Sequence, residues 1–127
     1  MTVGLDTSVV LRLLVGRPQN QTQKAKAALD QALAQGPVHL CDLVIAEAYH
    51  ALVYHYEVPK NGARSLLMRM MASGAFACSP RDMLDTTHSS KGCGLVDHLI
   101  MSRYRSLDAT TLTFDRKMGA AGARMVD

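Results

Sequence analysis

The chain has 127 residues, 14 Lys and Arg against 11 Asp and Glu, a formal charge of +3, and three cysteines. That length supports one domain burying roughly two thirds of its unfolded surface, and Cys41, Cys78 and Cys93, scattered and without a Cys-x-x-Cys, argue against a disulfide framework or a zinc knuckle. No basic residue precedes Arg12 and every apolar stretch is short and broken by charge, so the expectation is a soluble, cytoplasmic protein with no signal peptide and no membrane span.

Thr2 to Leu5 reads as a short strand, and Thr7 to Val15 as a helix stopped by Gly16 and Pro18. Asp6 lies at the junction. Asn20 to about Gln35, rich in Ala, Leu, Lys and Gln, predicts a helix ended by Gly36-Pro37. Val38 to Cys41 is a second strand, and Asp42 is the expected N-cap of a helix through Val44, Ala48, Ala51 and Leu52 that carries Glu47. Pro59 opens a Leu- and Met-rich helix from Lys60 to Met71; its Met68, Met70 and Met71 read as core, or as a surface for a partner helix.

Ala75 to Cys78 predicts a third strand, and Ser79-Pro80-Arg81-Asp82 has the composition of a helix start, with the helix reaching about His88. Ser89 to Gly94 is the loosest stretch. Leu95 to Met101 is a helix with Asp97 in its first turn, Ala109 to Thr113 a fourth strand leading into Phe114-Asp115, and Ala123 to Val126 a last strand at an edge. Strands alternating with helices imply an α/β fold, three layers α/β/α, around a mainly parallel sheet of four to five strands.

The chemistry lies in four acids, Asp6, Glu47, Asp97 and Asp115, each set in apolar sequence where an unpartnered buried carboxylate is expensive. Ligands of an open parallel sheet bind beyond the carboxyl ends of its strands, and each acid is expected at that rim. Two carboxylates about 4 Å apart repel by roughly 4 kcal/mol at an effective dielectric of about 20, so such a cluster calls for a cation. Mg2+ or Mn2+, hard ions that prefer oxygen, suit it. Asp6, Asp97 and Asp115 are the expected metal ligands, Glu47 completes the catalytic set, and Thr7, Ser8 and Thr113 are the hydroxyls expected to orient ligands or water. With the four acids set aside, 14 cations face seven acids. That balance suits a polyanion, for which Arg12, Lys91, Arg116 and Lys117 are the candidate phosphate contacts.

Leu5-Asp6-Thr7-Ser8-Val9-Val10, Ile45-Ala46-Glu47-Ala48, Leu95-Val96-Asp97-His98 and Leu112-Thr113-Phe114-Asp115-Arg116-Lys117, in that order, resemble the motifs of the PIN-domain family, and within it the VapC toxins of bacterial type II toxin–antitoxin systems. The resemblance implies a Mg2+- or Mn2+-dependent ribonuclease, a homodimer, and a VapB-like antitoxin partner. Ser8 stands where many members carry asparagine, and His98, Met101 and Ser102 differ from the usual neighbours of the third acid in a way expected to narrow the pocket. A catalytically silent binding module acting through antitoxin or nucleic acid is the alternative.

Other readings are weaker. Glu47-x-x-His50 has the spacing of a di-metal half-motif but occurs once, so His50 is read as structural. The remaining histidines show no zinc-ligand spacing. A haloacid-dehalogenase-type phosphatase needs a second acid where Ser8 stands, and a receiver domain needs an acidic pair that is absent.

Overall fold

The computed structural model describes residues 2–88 and 93–126. They form two compact units, Met1–Ser79 and Pro80–Asp127. The first contains β1 (Val3–Gly4), α1 (Thr7–Val15), α2 (Gln19–Leu33), β2 (Val38–Cys41), α3 (Asp42–Tyr54), α4 (Lys60–Met71) and β3 (Phe76–Ser79). The second contains α5 (Met83–His88), α6 (Leu95–Arg105), β4 (Leu112–Thr113), α7 (Arg116–Ala120) and β5 (Arg124–Met125).

In the first unit the strands run in the order β1-β2-β3, all parallel, with Val3 opposite Val38 and Val38 opposite Phe76. Parallel neighbours require crossovers, and the helix pairs α1–α2 and α3–α4 supply them. The ladder reaches past β1, because the Leu5 amide donates to the His39 carbonyl at 3.1 Å. β2 lies in the middle and alternates: Val38 and Leu40 are fully buried while His39 is exposed. Val10, Ile45, Leu52 and Leu67 fill the helical side of this core. α1 stops at Gly16, whose φ of 76° is the left-handed conformation that glycine adopts most readily, and its amide returns to the Arg12 carbonyl.

Asp42 is the first residue of α3 instead of its cap. β2 runs straight into the helix, Cys41 holds the cap position without a side-chain bond, and Asp42 Oδ1 accepts from the Leu43 amide at 3.0 Å.

The second unit is helix-rich. Its interior holds Met83, Leu95 and Leu99, with a cluster of Cys93, Met101 and Met118 backed by Ala121 and Ala123. Asp82 ties the helices by accepting from the Ser102 hydroxyl at 2.7 Å and pairing with Arg105 at 3.5 Å. β4 and β5 pair in parallel as a separate two-stranded sheet.

All pairings are parallel, as expected, but the strands divide three and two instead of forming one sheet. β4 is also shorter than the predicted Ala109–Thr113. Asp108 takes a positive φ of 56° and the Ala109 amide closes back on the Tyr104 carbonyl, so this stretch ends α6 instead of extending a strand. Among the described residues no helix is long and apolar enough to cross a membrane.

Candidate active site

Asp6 follows β1 and caps α1 from an extended backbone (φ −92°, ψ 175°). Its Oδ1 accepts from the Ser8 hydroxyl at 2.6 Å and from the Val9 amide at 3.3 Å. The Ser8 hydroxyl, then the Val9 amide, hold the Asp6 carboxyl below its ordinary range against an opposing desolvation. Because the folded-state pKa is the lower one, this interaction stabilises the fold above the unfolded-state value and is lost as pH falls through the folded-state value. Replacing Ser8 with alanine is expected to raise the Asp6 pKa; carboxyl-carbon NMR titration checks it, and an unmoved midpoint contradicts the assignment.

Glu47 stands in the second turn of α3, which packs against α1. The Thr7 hydroxyl, first in α1, donates to Glu47 Oε1 at 2.5 Å. One short segment therefore presents Asp6 and fixes Glu47, far off in sequence. Thr7→Val removes the bond with little change in shape, and a stability loss of about 1 kcal/mol is expected, the usual net worth of one hydrogen bond. A Thr7→Val/Glu47→Met double-mutant cycle measured by urea unfolding tests it: additivity of the two changes would contradict the coupling.

Asp97 and Asp115 belong to the second unit. Asp97 is half-buried in the first turn of α6, where the helix dipole favours a carboxylate. Asp115 caps α7, its Oδ1 accepting from the Lys117 and Met118 amides at 2.7 and 3.3 Å, while its own amide donates to the Thr113 hydroxyl at 2.9 Å. Thr113 thus holds the backbone of Asp115.

The premise of buried acids does not hold. Asp6, Glu47 and Asp115 are exposed, and only Asp97 is partly covered. Their apolar sequence neighbours turn inward, as Val10, Ile45 and Ala48 do, so the acids face water at modest cost. His98, Met101 and Ser102, expected to narrow the pocket, are buried in the second unit. Among the described residues no three His, Cys, Asp or Glu side chains gather as a metal ion would need.

The basic candidates differ. Arg116 and Lys117 are exposed at the start of α7. Arg12 is half-buried and committed, donating to Gln21 Oε1 at 2.7 Å and to the Tyr56 hydroxyl at 3.3 Å, so a phosphate contact there must displace internal bonds. Lys91 lies outside the described residues.

Two exposed rings share a face of α3 with Glu47. His50, read as structural, is exposed, and its ring contacts that of Tyr54, which is also exposed. They stand three and seven positions beyond Glu47, on one helical face.

The sequence profile of the PIN domain matches residues 3–123. The chain belongs to the PIN-domain family. The match spans all four acids and both units, and the helix-rich architecture with parallel strands agrees with the PIN-like α/β/α fold. No curated protein gives a significant match. PIN domains are nucleases as a class and typically use divalent metal ions. The candidate donors Asp6, Glu47, Asp97 and Asp115 offer only oxygen, the ligand type that hard divalent cations take.

Proposed function

We propose that this PIN domain is a Mg2+- or Mn2+-dependent endoribonuclease, the toxin of a VapBC-type toxin–antitoxin pair. The observation that carries the reading is the Thr7–Glu47 bond, which draws a distant acid to the segment that bears Asp6. Asp6, Asp97 and Asp115 are the acids that would hold the ion, and Glu47, which accepts a hydrogen bond from Thr7, would orient water. When bound, the ion supplies Lewis acidity toward water and the phosphoryl oxygen and offsets the charge of the phosphodiester. The Ser8 hydroxyl and the Val9 amide favour the anionic form of Asp6, the form that binds a cation. Arg116 and Lys117 contact the phosphate backbone, and the excess of cations elsewhere steers RNA toward the site.

The toxin acts as a homodimer and is restrained by a VapB-like antitoxin. An apolar groove in the first unit, lined by Leu13, Leu14, Leu29, Leu66, Met70 and Phe76, supports an amphipathic partner helix. Met71 and Leu67, in contrast, are core. A second reading, a silent binding module, draws on the capping roles of Asp6 and Asp115, which give both acids a structural purpose without catalysis.

Induced expression followed by mapping of cellular RNA ends separates the two readings and names the substrate. The enzyme yields new, recurrent ends that vanish with Asp97→Asn. An unchanged set of ends, with RNA still bound by the purified chain, sinks the nuclease in favour of the binding module.

A further inference from the structure

The outer face of α3 carries a feature its packing does not use. Ile45, Ala48 and Leu52 fill the buried face, whereas Glu47, His50 and Tyr54 line up on the exposed one. Tyr54 is 62% exposed, and its ring lies 4.6 Å from that of His50, centroid to centroid, at 42° between planes. At a rise of about 1.5 Å per residue, Tyr54 stands roughly 10 Å beyond Glu47 along the helix axis. A pair of touching rings thus begins one turn from a catalytic acid and leads away from it.

We infer that His50 and Tyr54 form a stacking platform for an unpaired base of the nucleic-acid strand whose phosphate is held beside Glu47. The inference rests on the nuclease reading and deepens it, since it makes the substrate single-stranded next to the cleaved bond. Every base presents a π-face, so exposed aromatic rings along a backbone-binding track hold single strands with little sequence preference. A base locked inside a duplex does not reach such a platform. The acid in the same row tells against a protein helix lying over these rings. An apolar partner would bury the Glu47 carboxylate, and charged residues are depleted from the centres of protein interfaces. A nucleotide strand leaves that carboxylate wet.

The chain contains no tryptophan, so Tyr54→Trp introduces a single fluorescent reporter at the platform. In an Asp6→Asn background, which prevents cleavage and keeps a good helix cap, a short single-stranded RNA of mixed sequence should quench it. The same strand made abasic, and the matching duplex, should not. In the Asp6→Asn chain with Tyr54 otherwise native, Tyr54→Ala should weaken single-strand affinity about tenfold, while Tyr54→Phe should hold it within about twofold. Equal quenching by the abasic strand overturns the platform. So does a Tyr54→Ala chain that binds RNA normally but loses its oligomeric state in light scattering, which would make the rings a protein contact. Cleavage by the native chain, with no base-dependent quenching in the Tyr54→Trp chain, overturns this inference alone; base-dependent quenching in the Tyr54→Trp chain, with the native chain inert with every divalent ion, overturns the nuclease reading alone.

Discussion

Asp6→Asn is expected to abolish RNA cleavage while leaving the fold intact. The amide keeps an oxygen that accepts from Ser8 and from the Val9 amide, and asparagine caps a helix about as well as aspartate, so stability should stay within about 0.5 kcal/mol. What it lacks is charge. A divalent ion contributes several kcal/mol to phosphoryl-transfer transition states, and loss of a principal ligand should lower kcat on the order of a thousandfold. Asp6→Ala removes the cap as well and should add a stability loss of about 1 kcal/mol. Cleavage kinetics with urea unfolding on both variants divide the two roles of this one carboxylate. If Asp6→Asn cleaves at the native rate, Asp6 is a cap and nothing more.

Leu40→Ala should be the most damaging single change to the first unit. Leu40 is fully buried on the central strand, with β1 on one side and β3 on the other, and the next residues lead directly into α3. Truncation loses the transfer energy of the side chain and leaves a cavity, together about 2–5 kcal/mol. Domains of this size are stable by roughly 5–15 kcal/mol, so a large share of the total is at stake. The urea midpoint measures it. A loss under about 1 kcal/mol would mean that Leu40 does not anchor the sheet.

Much of the first unit was legible because its punctuation is local. Gly16 ends α1, Gly36-Pro37 separates α2 from β2, and Pro59 opens α4, so the bounds Thr7–Val15, Val38–Cys41 and Lys60–Met71 follow from nearby residues. The division of the strands was not legible, since strand partners are chosen by contacts distant in sequence. Ala109 illustrates this: it looks like strand, but its amide is taken by Tyr104.

At the site, the positions of Asp6, Asp97 and Asp115 at helix starts were readable from the strands and loops before them. Their exposure was misjudged because apolar neighbours in sequence are not neighbours in space. Ile45 and Ala48 bracket Glu47 yet point to the core while it points out. Arg12 shows the converse, a cation in a loop-proximal stretch whose side chain is spent on Gln21 and Tyr56. The Thr7–Glu47 bond joins residues that no local pattern connects.

The most direct test of the central claim is cleavage of an RNA panel by the purified native chain with Mg2+ or Mn2+, repeated in excess EDTA. Cleavage that requires the divalent ion, stops in EDTA and returns when the ion is restored is the predicted result. Undiminished cleavage in EDTA would contradict a metal-dependent nuclease built on Asp6, Glu47, Asp97 and Asp115.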